Sequence, residues 1–196
     1  MSESIEMPKY PPVWFVNLYE RVRVFFSRMS KKNVPPGLVL FEMIQDFWVA
    51  QCIYVVAELN IADLLRDKEK SIEELADVTK TNKTSLYRVM RALSSKDIFK
   101  ETTAETFTLT PLSKGLLDGP GSWKHLILHH GGPTNWQMFG ELLYCVKTGK
   151  NSADKVLGMG IFEFLEKNPE KNETFNKSMT NSSNIASTTV VSAYNF

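Results

Sequence analysis

Three histidines, His125, His129 and His130, are the residues of this 196-residue chain whose types and spacing first indicate chemistry. His125 and His129 are four residues apart, so a helix through this segment would place both imidazoles on one face. A zinc site would need further ligands at a suitable spacing, and the sequence offers none beside them. We therefore expect no metal, and we interpret the pair as part of a helix face that lines a cleft or an interface.

The two cysteines, Cys52 and Cys145, each lie in an apolar stretch. Neither belongs to a CxxC pair or to a Cys/His spacing typical of zinc. Free cysteines are among the most buried residues, and they stay reduced in the cytosol. We interpret both as buried thiols of a cytoplasmic protein, and the polar first ten residues predict no secretory signal.

A basic cluster between Lys80 and Lys100 holds six Lys or Arg residues and one acid, Asp97. Such a cluster could contact phosphates. The whole chain, however, has 23 basic and 22 acidic residues, and the segment from Glu101 to Glu105 has two acids and no base. We expect nucleic-acid binding to be weak and without sequence preference. A winged-helix DNA-binding regulator stays as an alternative.

The N-terminal part predicts two apolar helices. Apolar residues recur every three or four positions from Trp14 to Met29, and the prolines of Val34–Gly37 end that helix. A second helix, expected from about Leu38 to Leu59, has no polar face of any width. It must lie in the centre of a domain or be shared with a second subunit, and we expect a homodimer. Docking of the first helix on a membrane surface is an alternative, but we expect no transmembrane segment.

The middle of the chain predicts a winged helix. Ser71 and Glu74 form a capping box, and Asn82 or Thr84 caps the next helix. Two short β-stretches follow near residues 98–100 and 106–110, which form a hairpin. Helix, helix, turn, helix and hairpin is the order of a winged helix-turn-helix. Beyond it we expect a helix from Pro111, helices near 123–130 and 135–148, a loop over 149–160, and two helices that begin near Phe162 and Pro169.

Five segments in order resemble one enzyme family. FWVAQCIYVVAELNIADLL resembles the opening helix of S-adenosylmethionine-dependent O-methyltransferases of the caffeate, acetylserotonin and hydroxyneurosporene type. The other four segments are SIEELADVTKTNKTSLYRVMRALSSKDIF, FTLTPLSKGL, WQMFGELLYCVKTG and GMGIFEFLEKNPEKNETFNKSM. The last is similar to the family's G-x-x-x-F-x-(Y/F) segment followed by P-x(4–6)-F-N-x-x-M. The resemblance runs from Phe41 to Ser183 and implies the family's N-terminal winged-helix dimerisation region.

The resemblance implies a mainly α fold in three parts. These are an apolar helix and Pro-rich linker (1–36), a winged-helix dimerisation domain with a small β-hairpin wing (37–118), and flanking helices that connect to a methyltransferase domain (119–196). The family's Rossmann-like catalytic domain, with its V-D-x-G-x-G-x-G turn, is absent from this chain. S-adenosylmethionine would be bound by that missing domain. We therefore assign no catalytic or cofactor-binding residue, and we expect the chain alone to be inactive.

The same resemblance implies four residues that line the pocket of the acceptor substrate. Phe175 and Met179 match the Phe and Met of F-N-x-x-M, while Ile161 and Leu165 match two further lining positions. An aromatic ring and a polarizable thioether suit contact with a small aromatic or polycyclic hydroxylated molecule. Phe175 and Met179 could instead be core residues. A dimerisation module without any ligand is a further alternative.

Overall fold

A computed structural model describes residues 13–32, 34–119 and 121–193 of the chain. They divide into two units, one with residues 13–45 and 183–193 and the other with residues 46–182. The first unit contains helix α1 (Val13–Lys32), the start of α2 (Pro36–Glu58) and the end of α11 (Pro169–Ala193). α2 begins at Pro36, two residues before the predicted start, because proline is favoured at the first position of a helix.

α1 keeps its large apolar side chains exposed. The apolar face predicted from the spacing is present, and its residues are exposed: Trp14, Leu18, Val22, Phe25 and Met29. Among the described residues, α2 is the one helix long and apolar enough to cross a bilayer. Only 6% of its most apolar 18-residue stretch is buried. A helix in a protein interface has the same length and composition, so this property alone does not separate the two settings.

The second unit is built around the predicted winged helix. It contains α3 (Ile61–Leu64), α4 (Ile72–Thr79) and α5 (Lys83–Ser94), with strands β1 (Lys70–Ser71), β2 (Phe99–Thr103) and β3 (Thr106–Leu109). The strands form one antiparallel sheet in the order β1-β3-β2. The core between helices and sheet consists of buried apolar side chains, among them Val56, Ile61, Leu65, Ile72, Leu75, Met90, Leu93, Phe99 and Phe107.

The local signals of the winged helix are confirmed. The Ser71 hydroxyl accepts from the Glu74 amide, and the Glu74 carboxylate accepts from the Ser71 amide, which completes the capping box. The Asn82 side chain accepts from the Ser85 amide and caps α5. The mainly helical fold with a small β wing is therefore as predicted, with β1 as an additional strand.

The connector after the wing differs from the prediction in three places. The segment after Pro111 is a turn followed by a 3₁₀ helix (Ser113–Leu116), and in the turn the Ser113 hydroxyl accepts from the Thr110 amide. The helix expected over 135–148 is split at Glu141 into α7 (Pro133–Gly140) and α8 (Leu142–Thr148). The loop expected over 149–160 contains α9 (Ser152–Leu157), which the Asn151 side chain caps. Helices α6 (Lys124–Gly131) and α10 (Ile161–Lys167) complete the unit.

Candidate functional site

A cavity of about 310 Å³ lies between the C-terminal end of α2 and helices α6, α10 and α11. This volume is at the lower end of the range of pockets for small organic ligands. One wall is apolar and includes Ile161, Phe164 and Leu165. The facing helix α6 contributes His125 and His129 to the lining. The cavity therefore combines an apolar wall with hydrogen-bonding groups.

The four residues expected from the sequence do not all meet in this cavity. Ile161 and Leu165 line it, and Leu165 is only 5% exposed. Phe175 is half-buried and touches the cavity's His129, but it is not itself a lining residue. Met179 is 38% exposed and lies outside the lining. Its role in contacting an acceptor stays a prediction, while its exposure argues against a place in the core.

His129 packs edge-on against Phe175, with ring centroids 5.2 Å apart and an interplanar angle of 67°. Burial, followed by the neighbouring His130, lowers the pKa of His129 below the ordinary value of 6.5. Burial also lowers the pKa of His125. His130 is exposed and its Nδ1 lies 3.0 Å from the Leu126 carbonyl oxygen. The interpretation of His125 and His129 as a cleft-lining pair therefore agrees with their place in the structure, whereas the motif resemblance had not included them.

A buried ion pair fixes the start of α6. Lys124 is only 6% exposed, and its Nζ donates to Asp63 Oδ2 at 2.7 Å. The other oxygen of Asp63 accepts from Arg66 at 2.6 Å and from the Asp118 amide at 3.0 Å. Burial raises the pKa of Asp63, but these three donors outweigh it and leave the pKa below its ordinary value. Sequence reasoning missed this pair because 61 positions separate its partners.

The end of α6 is fixed by close contact with α2. Gln51 Nε2 donates to the Gly131 carbonyl at 3.0 Å. A Cβ added at Gly131 would lie 2.7 Å from the Tyr54 Cβ, so only glycine fits this approach. Beyond the helix, Asn135 Nδ2 donates to the His129 carbonyl. Both ends of the helix that carries the two imidazoles are therefore held by contacts with other elements.

Two residues on the helix that a DNA-binding regulator would use are bound to acids of the wing. Lys83 Nζ lies 2.9 Å from the Glu105 carboxylate, and the Tyr87 hydroxyl donates to Glu101 at 2.9 Å. The wing acids thus accept from two exposed-face residues of α5. A helix that reads DNA needs its basic and polar side chains free for phosphates and base edges.

No group of three or more His, Cys, Asp or Glu side chains within residues 13–32, 34–119 and 121–193 could hold a metal ion. The closely spaced glycines Gly158 and Gly160 also lack the setting of a nucleotide-binding turn. Gly158 ends α9 and Gly160 begins α10, without a strand before them. The described residues therefore do not fit S-adenosylmethionine, whose family site is a glycine turn after a strand.

The family model of the O-methyltransferase dimerisation domain matches residues 41–119. Among curated relatives, the phenazine O-methyltransferase PhzM of Lysobacter antibioticus is 37% identical over 164 residues, which are 83% of this chain and 48% of the relative. The mitomycin biosynthesis 6-O-methyltransferase of Streptomyces lavendulae is 27% identical and matches 79% of this chain and 45% of its own length. The chain thus spans about half the length of these relatives.

Solved structures give the same result. The crystal structure of LaPhzM superposes with a TM-score of 0.79 at 36% identity, covering 83% of this chain and 49% of that one. The mitomycin 7-O-methyltransferase MmcR gives a TM-score of 0.75 at 26% identity, covering 82% and 48% respectively. The winged helix and the helices that surround the cavity therefore follow the arrangement of the N-terminal parts of these proteins.

Proposed function

Because the chain belongs to the S-adenosylmethionine-dependent O-methyltransferase family, as its N-terminal dimerisation region, we propose that it forms a homodimer and supplies part of an acceptor pocket. The observation that carries this proposal is the cavity of about 310 Å³, which is lined by the end of α2 and by helices that follow the winged-helix dimerisation domain in the chain. We propose the division 1–36, 37–118 and 119–196 for its three parts, of which the second nearly coincides with the matched domain.

Support for the homodimer comes from α2. Leu40, Ile44 and Trp48 are four residues apart and are 62%, 65% and 63% exposed. A continuous row of large apolar side chains on one helix face is costly to leave in water. A second copy would cover this row, since interfaces of stable homodimers are apolar and exceed about 2,000 Å². We propose that this row, and not a bilayer, explains the composition of α2, and that the protein is cytoplasmic.

The acceptor that fits best is a small, planar, hydroxylated aromatic molecule. Supporting observations are the apolar wall at Ile161 and Leu165 and the aromatic pair of His129 and Phe175. The phenazine and mitomycin enzymes among the relatives act on molecules with fused rings, by their names. In the complete enzyme, S-adenosylmethionine would supply the methyl group from a domain outside this chain. This chain's residues would bind and orient the acceptor and exclude water from it.

A DNA-binding regulator is the weaker candidate, because two polar side chains of α5 are bound to acids of the wing. Tyr87 donates a hydrogen bond to Glu101, and Lys83 forms an ion pair with Glu105. Fluorescence anisotropy with labelled duplexes tests it. We expect only weak binding that disappears between 50 and 200 mM salt, since phosphate contacts alone are strongly salt-dependent. Salt-resistant, sequence-selective binding would replace our proposal with the regulator.

The decisive experiment combines sedimentation velocity with calorimetry on the 196-residue chain. We expect a dimer of the 22.3 kDa chain at micromolar concentration and no micromolar binding of S-adenosylmethionine. A stable monomer would contradict the dimerisation role. Micromolar cofactor binding would contradict the assignment of the cofactor to a domain outside this chain and the expectation that the chain alone is inactive.

A further inference from the structure

His125 and His129 are two polar residues of the cavity lining to which no motif of the sequence assigns a role. They are half-buried, lie one helical turn apart on α6, and both line the cavity. No hydrogen bond joins the ring nitrogens of either residue to any part of the chain that the structure describes. Neither side chain is fully buried, so water can reach these nitrogens. A ligand that enters the cavity can replace that water on both imidazoles.

The surroundings of both rings favour the neutral form of the imidazole. Burial lowers the pKa of His129, and His130 beside it acts in the same direction. Burial is also the main cause for His125, where Lys177 and Lys124 lower the pKa further and Asp118 and Glu173 oppose them. A neutral imidazole has one N–H donor and one bare nitrogen acceptor. In the neutral form the pair offers two donors and two acceptors without a net charge.

The cavity lining also includes charged side chains, namely Glu58, Asp118, Lys124, Glu170 and Lys171. Lys124 is buried and its ammonium donates to Asp63, so it is not free to neutralise an anionic ligand. The two imidazoles add uncharged hydrogen-bonding groups to this lining when they are neutral. A ring nitrogen accepts from an imidazole N–H, and a neighbouring hydroxyl donates to a bare imidazole nitrogen.

The imidazole of His129 is held in place before any ligand binds. Its ring packs edge-to-face with Phe175 at a centroid distance of 5.2 Å, and Asn135 donates to its carbonyl. The lining also includes the apolar residues Ile161 and Leu165, which suit the face of a flat ring system. Fixed polar groups that bind the edge of a planar ligand, and apolar residues that contact its face, together select which ligand binds and how it is oriented.

We propose that His125 and His129 are specificity-determining residues that recognise the edge of a planar, nitrogen-containing aromatic acceptor with a hydroxyl beside its ring nitrogen. This inference rests on the proposed function. It specifies the class of acceptor and names the two side chains that would distinguish a nitrogen heterocycle from a carbocycle of the same shape.

The test uses two probes, 1-hydroxyphenazine and 1-hydroxyanthracene, which share a shape and differ in their ring nitrogens. Their binding to the 196-residue chain is measured by fluorescence titration, with imidazole ¹H–¹⁵N NMR spectra to detect contacts up to millimolar concentration. We expect 1-hydroxyphenazine to bind about tenfold more tightly and to shift the His129 and His125 resonances, as one or two neutral hydrogen bonds would require.

The variant His129→Phe keeps an aromatic ring against Phe175 and removes both nitrogens, so it should reduce the preference between the probes to about twofold or less. His130→Phe is the matched control, because His130 is exposed and lies outside the cavity lining. It should keep the full preference. Melting curves and sedimentation of both variants check that fold and dimer persist.

Equal binding of the two probes, no binding of either, or equal loss in both variants would overturn the proposal. If any of these occurs while the wild-type chain is still a dimer, the dimerisation role stands and only the inference about the histidines fails. A monomeric wild type would contradict the proposed function itself, whatever the probes do.

Discussion

Gly131 of α6 lies so close to Tyr54 of α2 that a β-carbon at Gly131 would stand 2.7 Å from the Tyr54 Cβ and 3.1 Å from its Cγ. The Tyr54 Cβ is fixed by the backbone, so a rotamer change cannot move this atom away. The Gln51 amide, which donates to the Gly131 carbonyl, bridges the same two helices. The distance between α2 and the histidine helix is therefore set by the absence of a side chain at one position.

Gly131→Ala should destabilise the chain by about 1–3 kcal/mol, because the helices must separate or Tyr54 must shift. Gly140→Ala is the control, since Gly140 is also helical and has open space around it. It should be neutral or slightly stabilising, as alanine restricts the unfolded chain more than glycine does. Urea unfolding of the three proteins measures both. Equal stability of the two variants would show that the close approach is not maintained in solution.

Asp63→Asn should cost about 3–5 kcal/mol of unfolding free energy, because it leaves the buried Lys124 ammonium without its counter-charge. Glu163→Gln is the control. It removes one partner of an exposed pair with Lys167, and such pairs contribute about 0–1 kcal/mol. Chemical unfolding at pH 7 compares the two, and equal costs would mean that water reaches Lys124 in the folded protein.

The same carboxylate makes stability depend on pH. The folded pKa of Asp63 is below its unfolded value of 3.8, so its contribution is complete above that value and is lost as the pH falls through the folded pKa. Wild type should therefore lose more stability than Asp63→Asn between pH 5 and pH 2. Parallel pH profiles of the two proteins would contradict this assignment.

Features decided by neighbouring residues could be predicted from the sequence. The Ser71–Glu74 capping box and the Asn82 cap depend on side chains three residues from the amides they bind, and both are present. β1 could not be predicted, because its two residues become a strand only by pairing with Thr106 and Phe107. α9 was missed although its cap at Asn151 was readable, since a helix of six residues has too little apolar periodicity to recognise.

The candidate site was predictable to a similar extent. The spacing of His125 and His129 predicted that they share a helix face, and both line the cavity. Ile161 and Leu165 also line it, while their contact with an acceptor stays a prediction. The Asp63–Lys124 pair and the Gly131–Tyr54 contact join residues that are far apart in sequence. Nothing in the local pattern of either partner reveals such contacts, and they are what hold α6 in position.

Trp48→Glu should weaken the proposed dimer by about thirtyfold or more in Kd, because a charge would replace an apolar anchor in the row on α2. Val78→Glu is the control, an equally drastic change at an exposed position of α4. Sedimentation equilibrium over a concentration series measures both. A dimer that tolerates Trp48→Glu but dissociates with Val78→Glu would move the interface from α2 to the winged helix.

Leu165 and Met179, both expected from the sequence to contact the acceptor, should differ sharply in their effect on stability. Leu165 is 5% exposed, and its truncation to alanine leaves a hole in packed surroundings, which costs about 2–5 kcal/mol. Met179 is 38% exposed, so Met179→Ala removes few contacts and should cost less than about 1 kcal/mol. Urea unfolding of the two variants gives this comparison directly.

If Met179 contacts the acceptor, Met179→Ala should weaken ligand binding, which the titration with 1-hydroxyphenazine would detect. A loss of more than about 2 kcal/mol for Met179→Ala with unchanged probe affinity would instead place Met179 among the core residues.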